Sequence, residues 1–233
     1  MSAHAIKKSL RLHTNKNKSS TLSRFFKTGK GEYGYGDRFL GVSVPLVRKV
    51  VKPFYNSTSL TDVETLFKSK YHEERLAGVF LLNHLYTQTT DIQVKTTIFK
   101  FYVDHTGFNL GINNWDLIDS SADKIIGDYI SNYLEPEKIK KFVDSCIRDQ
   151  DLWIRRMIVL ATYYDIKKGN PDMVLYVAEQ LLDDEHDLIH KSVGWMLREM
   201  GKRISEKPLR DFLRVYKLQM PRTMYRYAIE RLS

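Results

Sequence analysis

The sequence predicts an all-α protein assembled from repeated helix pairs. Three observations lead there. No stretch sustains the period-two alternation of a half-buried strand, whereas apolar residues recur at three- and four-residue spacings from residue 42 onward. Helix-start signals punctuate the same region. Finally, a polar or basic residue, or Trp115, opens an apolar helix at Arg75, Trp115, Arg156, Lys191 and Arg226, at intervals of 35 to 41 positions.

Repetition at that period marks two-helix solenoid units of HEAT type, each of which buries its apolar face only by stacking on its neighbours. Such stacks expose a concave face. Arg75, Trp115, Arg156, Lys191 and Arg226 together would line it as a basic groove with aromatics set in it, suited to phosphates rather than to base sequence. The length of 233 residues allows one large domain with an ample core, drawn here over 1–233. Within it, 1–41 hold basic N-terminal helices and a glycine-rich loop, and 42–233 hold the helix-pair repeats.

Taken in order, residues 1–27 combine Lys7, Lys8, Arg11, Lys16, Lys18, Arg24 and Lys27 with apolar Ile6, Leu10, Leu22, Phe25 and Phe26. They read as two short helices broken near Asn15–Ser20. A solvated face explains that charge as well as a DNA-facing one does. Residues 28–41 carry five of the twelve glycines and read as an ordered series of turns. Gly29–Gly34 formally matches G-x-G-x-x-G, but that fingerprint needs a strand before it and a helix opening inside it. A turn lying close to phosphate, with Lys30 as its cation, suits the surroundings better.

Ser43 with Pro45 signals the next helix start, and Thr61-Asp62-Val63-Glu64 reads as a capping box; Pro136 and Asn170-Pro171 mark two more. Leu46, Val47, Val50 and Val51 begin one core face, and Leu76, Val79, Phe80, Leu82 and Leu85 another. Around Trp115, the apolar stripe is Ile112, Leu117, Ile118, Ala122, Ile125 and Ile126. Trp115 and Asp119, four apart, share an adjoining face with Asp123.

The chain carries 37 Lys plus Arg against 28 Asp plus Glu, a formal charge of +9 and a pI near 9.4. That balance points to an anionic partner, nucleic acid or an acidic membrane surface. No apolar run approaches the length that spans a bilayer, and the polar N-terminus lacks the apolar core of a signal peptide. The lone Cys146 excludes an internal disulfide and fits a reducing compartment. The expectation is an intracellular protein, cytoplasmic and nucleoid-associated if bacterial, acting as a monomer without cofactor.

Two constellations invite chemistry. His186 and His190 have the i, i+4 spacing of a metal-binding helix, but Asp187 stands where H-E-x-x-H has its glutamate and no third ligand stands out. Asp183, Asp184 and Asp187 more simply favour a helix N-terminus. An aromatic plate beside a carboxylate, Trp115 with Asp119, suits a cationic species, while an ion pair or a cap is the ordinary use of a helical aspartate. Trp195 has core packing as its ordinary role, although the neighbouring Gly194 points to a close approach. In the tandem Arg155-Arg156 the two side chains point about 100° apart, so only one can face a groove.

The run Asn113–Ser121 with Trp115 and Asp119, the segment Trp153–Arg156, and the block HDLIHKSVGWMLREMGKR over 186–203 resemble the AlkD-type DNA alkylation repair glycosylases. Phe25–Gly41 and the closing MPRTMYRYAIE over 220–230 extend the resemblance along nearly the whole chain. It implies a HEAT-like α-solenoid that excises cationic N3- and N7-alkylpurines from duplex DNA, leaving the lesion in the stack. By matching positions, Asp119 is the catalytic carboxylate, Trp115 and Trp195 flank the lesion's sugar, and Arg156 lies near the DNA backbone. Where relatives place an N-terminal tyrosine, this chain has Phe25 or Phe26. Arg155, Lys191, Arg75, Arg226 and Lys30 complete the set expected to hold DNA. The alternative is a HEAT-like module that binds DNA or protein without cleaving anything; a metal hydrolase built on His186 and His190 is a third reading.

Overall fold

The computed structural model describes residues 2–232, and among them every regular element is a helix. Two lone bridges, Arg38 with Tyr71 and Thr106 with Ile112, are the extended pairings found there. Packing divides the chain into two compact units, 1–121 and 122–233.

In the first unit, α1 (Ser2–Leu12) buries Ala3, Ile6 and Leu10 along one face. The Ala3 amide donates to Asp62 Oδ1 at 2.9 Å and the Arg11 guanidinium to Glu74 Oε1 at 2.8 Å, tying both ends of α1 to later helices. The chain breaks at His13–Asn15, and Asn15 caps α2 (Lys16–Phe25) by accepting from the Lys18 amide. The break therefore precedes the expected interval and meets it only at Asn15, because the asparagine side chain already caps the next helix and residues 16–20 are helical. Turns then run to α3 (Val44–Val51), with no strand before Gly29–Gly34 and no helix opening inside it. The buried Glu73 carboxylate closes this loop by accepting from the amides of Leu40, Gly41 and Val42 at 2.8, 2.8 and 3.1 Å. Gly41 is needed there: its φ is +82°, and a Cβ would lie 2.1 Å from the Asn15 carbonyl oxygen.

A 3₁₀ turn over Lys52–Ser57 leads to α4 (Leu60–Phe67). Its capping box is Ser59 with Asp62, two residues before the box expected at Thr61–Glu64, because the helix begins earlier. α5 (His72–Gln88) follows and packs on α3 and α4. Its whole first half is buried, including the polar opening turn His72-Glu73-Glu74-Arg75. After α6 (Ile92–Asp104) a loop delivers the chain to α7 (Trp115–Asp119), which is one helical turn capped by the Asn114 side chain.

The second unit opens on a π-turn, Asp123–Gly127, running into α8 (Asp128–Tyr133). The expected stripe around Trp115 is observed: Ile112, Leu117, Ile118, Ala122, Ile125 and Ile126 are all buried. α9 (Pro136–Ile147) pairs with α10 (Leu152–Ala161), and α11 (Tyr163–Lys167) is a short connector. α12 (Asp172–Gln180) pairs with α13 (Asp187–Arg203), followed by α14 (Glu206–Tyr216) and α15 (Arg222–Ile229). α13 is the hub, packing on α10, α12, α14 and α15. Gly194 explains its closest contact: a Cβ there would sit 2.4 Å from the Met224 carbonyl oxygen and 2.6 Å from Tyr227 Cβ, so only glycine admits α15.

Candidate functional site

Trp115 and Asp119 are the first and last residues of α7 and both are half-buried. One turn of helix has little stability of its own, so its surroundings hold it. Asn114 Oδ1 accepts from the Trp115 amide at 2.9 Å, and the same side chain's Nδ2 donates to Asp37 Oδ2 at 3.2 Å. Leu117 and Ile118 bury the opposite face. Trp115, Asp116 and Asp119 are the half-buried residues of the turn.

Behind α7 lies a network that sequence spacing did not disclose. His72, at the head of α5, is 2% exposed as a side chain and sits between two carboxylates. Its Nε2 is 2.8 Å from Asp116 Oδ2 and its Nδ1 3.2 Å from Asp37 Oδ2. Burial alone would lower its pKa, but Asp116 and Asp37 outweigh burial and raise it to about 9. Asp37 is shifted down despite its own burial, through the hydrogen bond from His72 and the charge of Arg75. The signal in the sequence was the run His72-Glu73-Glu74-Arg75 at the head of an otherwise apolar helix, since buried ionisable groups need partners.

Aromatic rings continue the network to Trp115. Phe39 stacks on His72 with centroids 4.7 Å apart, and Phe26 lies 4.9 Å from the same imidazole. Phe26 then stacks on Trp115 at 5.0 Å with 9° between the planes, while Phe25 meets the indole edge-on at 5.9 Å. Phe26 is buried and Phe25 is 63% exposed, so of the two it is Phe25 whose ring has a face open to solvent.

Arg75 corrects one expectation. It is 3% exposed, and its guanidinium donates to Asp37 Oδ1 at 2.7 Å, Asn113 Oδ1 at 3.1 Å and the Ser69 carbonyl at 3.1 Å. A guanidinium so placed stabilises the α5–loop network and does not line an open basic face. Lys30 is exposed in the glycine-rich turn.

In the second unit, Lys191, Trp195 and Arg198 form a partly exposed stripe on α13, whose other faces are largely buried. Lys191 pairs with Asp187 at 2.7 Å, one turn back. The tandem arginines separate as their angular offset requires. Arg155 donates to Asp184 Oδ2 at 2.7 Å and to the Asp149 and Gln150 carbonyls of the loop between α9 and α10. Arg156 is 4% exposed and donates to the Leu188 carbonyl of α13 at 2.6 Å, so like Arg75 it points inward and departs from the open basic face expected of it. The exposed Arg226 lies on α15, its guanidinium 5.9 Å from the Tyr227 ring. His186 and His190 serve the N-terminal turn of α13: His186 Nδ1 accepts from the Leu188 amide, and His190 Nε2 bonds the Asp184 carbonyl oxygen. No group of three or more metal-binding side chains occurs among the described residues. No described helix is long and apolar enough to cross a membrane.

An all-helical chain with a tryptophan and a carboxylate on one held turn is matched over residues 6–232 by the family model of DNA alkylation repair enzymes. The chain belongs to that family. Among solved structures, a predicted DNA alkylation repair enzyme from Enterococcus faecalis shares the fold, with a TM-score of 0.71 at 17% identity, covering 94% of this chain and 97% of that one. No curated protein matches the sequence. Membership of a DNA alkylation repair enzyme family implies DNA as the partner.

Proposed function

We propose that this chain is a monofunctional glycosylase that hydrolyses the N-glycosidic bond of cationic N3- and N7-alkylpurines in duplex DNA. The observation that carries the reading is the placing of Trp115 and Asp119 at the two ends of one solvent-reaching turn in a member of a DNA alkylation repair family. The alkylated base already bears a positive charge. As the bond from C1′ to the purine N9 breaks, its electron pair leaves with the base, which departs neutral, and no general acid is required. Positive charge passes to the sugar as an oxocarbenium-like species.

Asp119 as a carboxylate stabilises that charge and orients a water towards C1′, taking its proton as the new C–O bond forms. Trp115 and Trp195 are each assigned to the lesion's sugar by the resemblance, an indole face offering it cation–π and CH contacts worth about 0.5–2 kcal/mol. Lys30, Arg155, Lys191 and Arg226 are assigned to phosphates, and Arg156 to the backbone near the lesion. The inward course of Arg156 gives it a second duty, fixing α10 against α13 through the Leu188 carbonyl. The chemistry uses these side chains and water alone.

Release of 7-methylguanine from a methylated duplex by the purified protein tests the reading. Base release under single-turnover conditions is the expected result. Duplex binding without release would favour the non-catalytic binding module instead.

A further inference from the structure

We propose that His72 is a positioning residue whose imidazolium ties the glycine-rich loop to α7 and so fixes the plane of the Trp115 indole, an inference that rests on the glycosylase reading. Both ring nitrogens face carboxylate oxygens, Asp116 Oδ2 at 2.8 Å and Asp37 Oδ2 at 3.2 Å. A neutral imidazole has a single N–H and would turn a lone pair on one of them. The cation satisfies both. Asp37, Asp116, Arg75 and Glu73 are the charged groups bonded around the ring, and Lys18 of α2 lines the same cavity. Asp37 comes from the loop and Asp116 from α7. Arg75, one turn along α5, shares Asp37, and Glu73 is taken by the Leu40, Gly41 and Val42 amides.

The imidazolium reaches Trp115 by two routes. One is covalent: Asp116 is the next residue in a helix of five, too short to hold its own direction, so the His72–Asp116 bond and the Asn114 cap set its orientation. The other is through rings, since Phe26 lies against His72 at 4.9 Å and against Trp115 at 5.0 Å. Aromatic faces on a buried cation are mutually stabilising, so the stack is firmest while the ring is charged. His72 and Asp116 also line a cavity of about 410 Å³ with Leu22, Phe39, Val42 and Leu76, which gives solvent protons a way to the pair. Loss of the charge would free either the loop or α7, and with it the indole that the reading sets against the sugar.

The test uses the full-length protein and His72→Gln, a side chain able to donate to one carboxylate. In the wild type at pH 7, nitrogen NMR should find the His72 ring protonated at both positions. In folded His72→Gln, the Trp115 indole resonance should shift and broaden while that of Trp195 stays in place. Release of 7-methylguanine should slow roughly ten- to hundredfold, the scale of a small misplacement of a catalytic group, with affinity for undamaged duplex unchanged. Raising the pH through about 9 should reproduce the indole change in the wild type and leave the variant flat. A singly protonated His72 ring at pH 7, or an unmoved Trp115 resonance in the variant, overturns the proposal. Should the wild type release no base, the glycosylase reading falls, and the ring-nitrogen and indole measurements still decide the role of His72. If His72→Gln does not fold, Asp116→Asn removes the same anchor with the same readouts.

Discussion

The rings of Phe26 and Trp115 lie nearly parallel, 9° apart with centroids at 5.0 Å, whereas the preceding Phe25 meets the same indole edge-on and is largely exposed. Two adjacent phenylalanines therefore have separable duties. Phe26→Ala empties a packed site and should lower stability by about 3–5 kcal/mol. Phe25→Ala should leave stability nearly untouched and slow lesion processing, because its exposed ring beside Trp115 is available to DNA. Thermal unfolding paired with single-turnover base release separates the two. A Phe25→Ala protein that melts early, or a Phe26→Ala protein as stable as wild type, contradicts this division.

The pH dependence of stability should carry the mark of His72. Its pKa is raised on folding from 6.5 to about 9, so the native state holds a proton that the unfolded chain releases between those values. The stabilisation is fully present below pH 6.5 and is lost as pH rises through about 9, on the order of 3 kcal/mol across that window. Denaturant unfolding at a series of pH values should show this decline in wild type and lack it in His72→Gln. A wild-type curve flat from pH 6.5 to 9 would be evidence against a charged His72.

Helices were legible in the sequence wherever an apolar stripe and a local start signal agreed. Ile112, Leu117, Ile118, Ala122, Ile125 and Ile126 are buried as their spacing implied, and Pro136 opens α9. The α4 box was misplaced by two residues because both Ser59 and Thr61 can cap, and the decision depends on where Asp62 turns: its Oδ1 accepts from the Ala3 amide of α1. The site was only half legible. Trp115 and Asp119 are neighbours by helical spacing, a local rule. Asp37, His72 and Asp116 meet across 35 and 44 positions, where no periodicity reports contact. For the same reason Arg75, read as an exposed cation, proved to be a buried partner of Asp37.

Arg156→Ala should impair base release more than Arg155→Ala, since the proposed site includes Arg156 near the DNA backbone, whereas Arg155 is engaged by Asp184 and the loop between α9 and α10. Both changes touch structure. Removing Arg156 leaves the Leu188 carbonyl short of a charged donor, a loss of about 1.5–3 kcal/mol. Rates must therefore be compared below both unfolding transitions. Equal losses, or the reverse order, would remove Arg156 from the proposed site.

Binding to undamaged duplex should weaken steeply with salt. The net charge of +9 and exposed Lys30 and Arg226 imply phosphate contacts, each contributing about 0.9 to the slope of log affinity against log salt. Titrations at several salt concentrations give that slope directly. Lys30→Ala and Arg226→Ala should each lower it by about one contact. A salt-independent affinity would speak against electrostatic docking on DNA.

Asp119→Asn isolates the proposed chemistry most cleanly. Asparagine keeps the size of aspartate and its place at the end of α7, so the turn from Trp115 to residue 119 should persist, held by the Asn114 cap and the buried Leu117 and Ile118. What disappears is the negative charge. Losing one preorganised electrostatic partner of a developing cation costs about 2.7–4 kcal/mol, a hundred- to thousandfold in rate. Affinity for undamaged DNA should hold or rise, because a repulsive charge has been removed from beside the phosphates. Single-turnover release of 7-methylguanine, duplex affinity and circular dichroism measured on both proteins give the comparison. A folded Asp119→Asn protein that releases base at the wild-type rate would show that the carboxylate does not stabilise the sugar cation, and the mechanism would have to be abandoned.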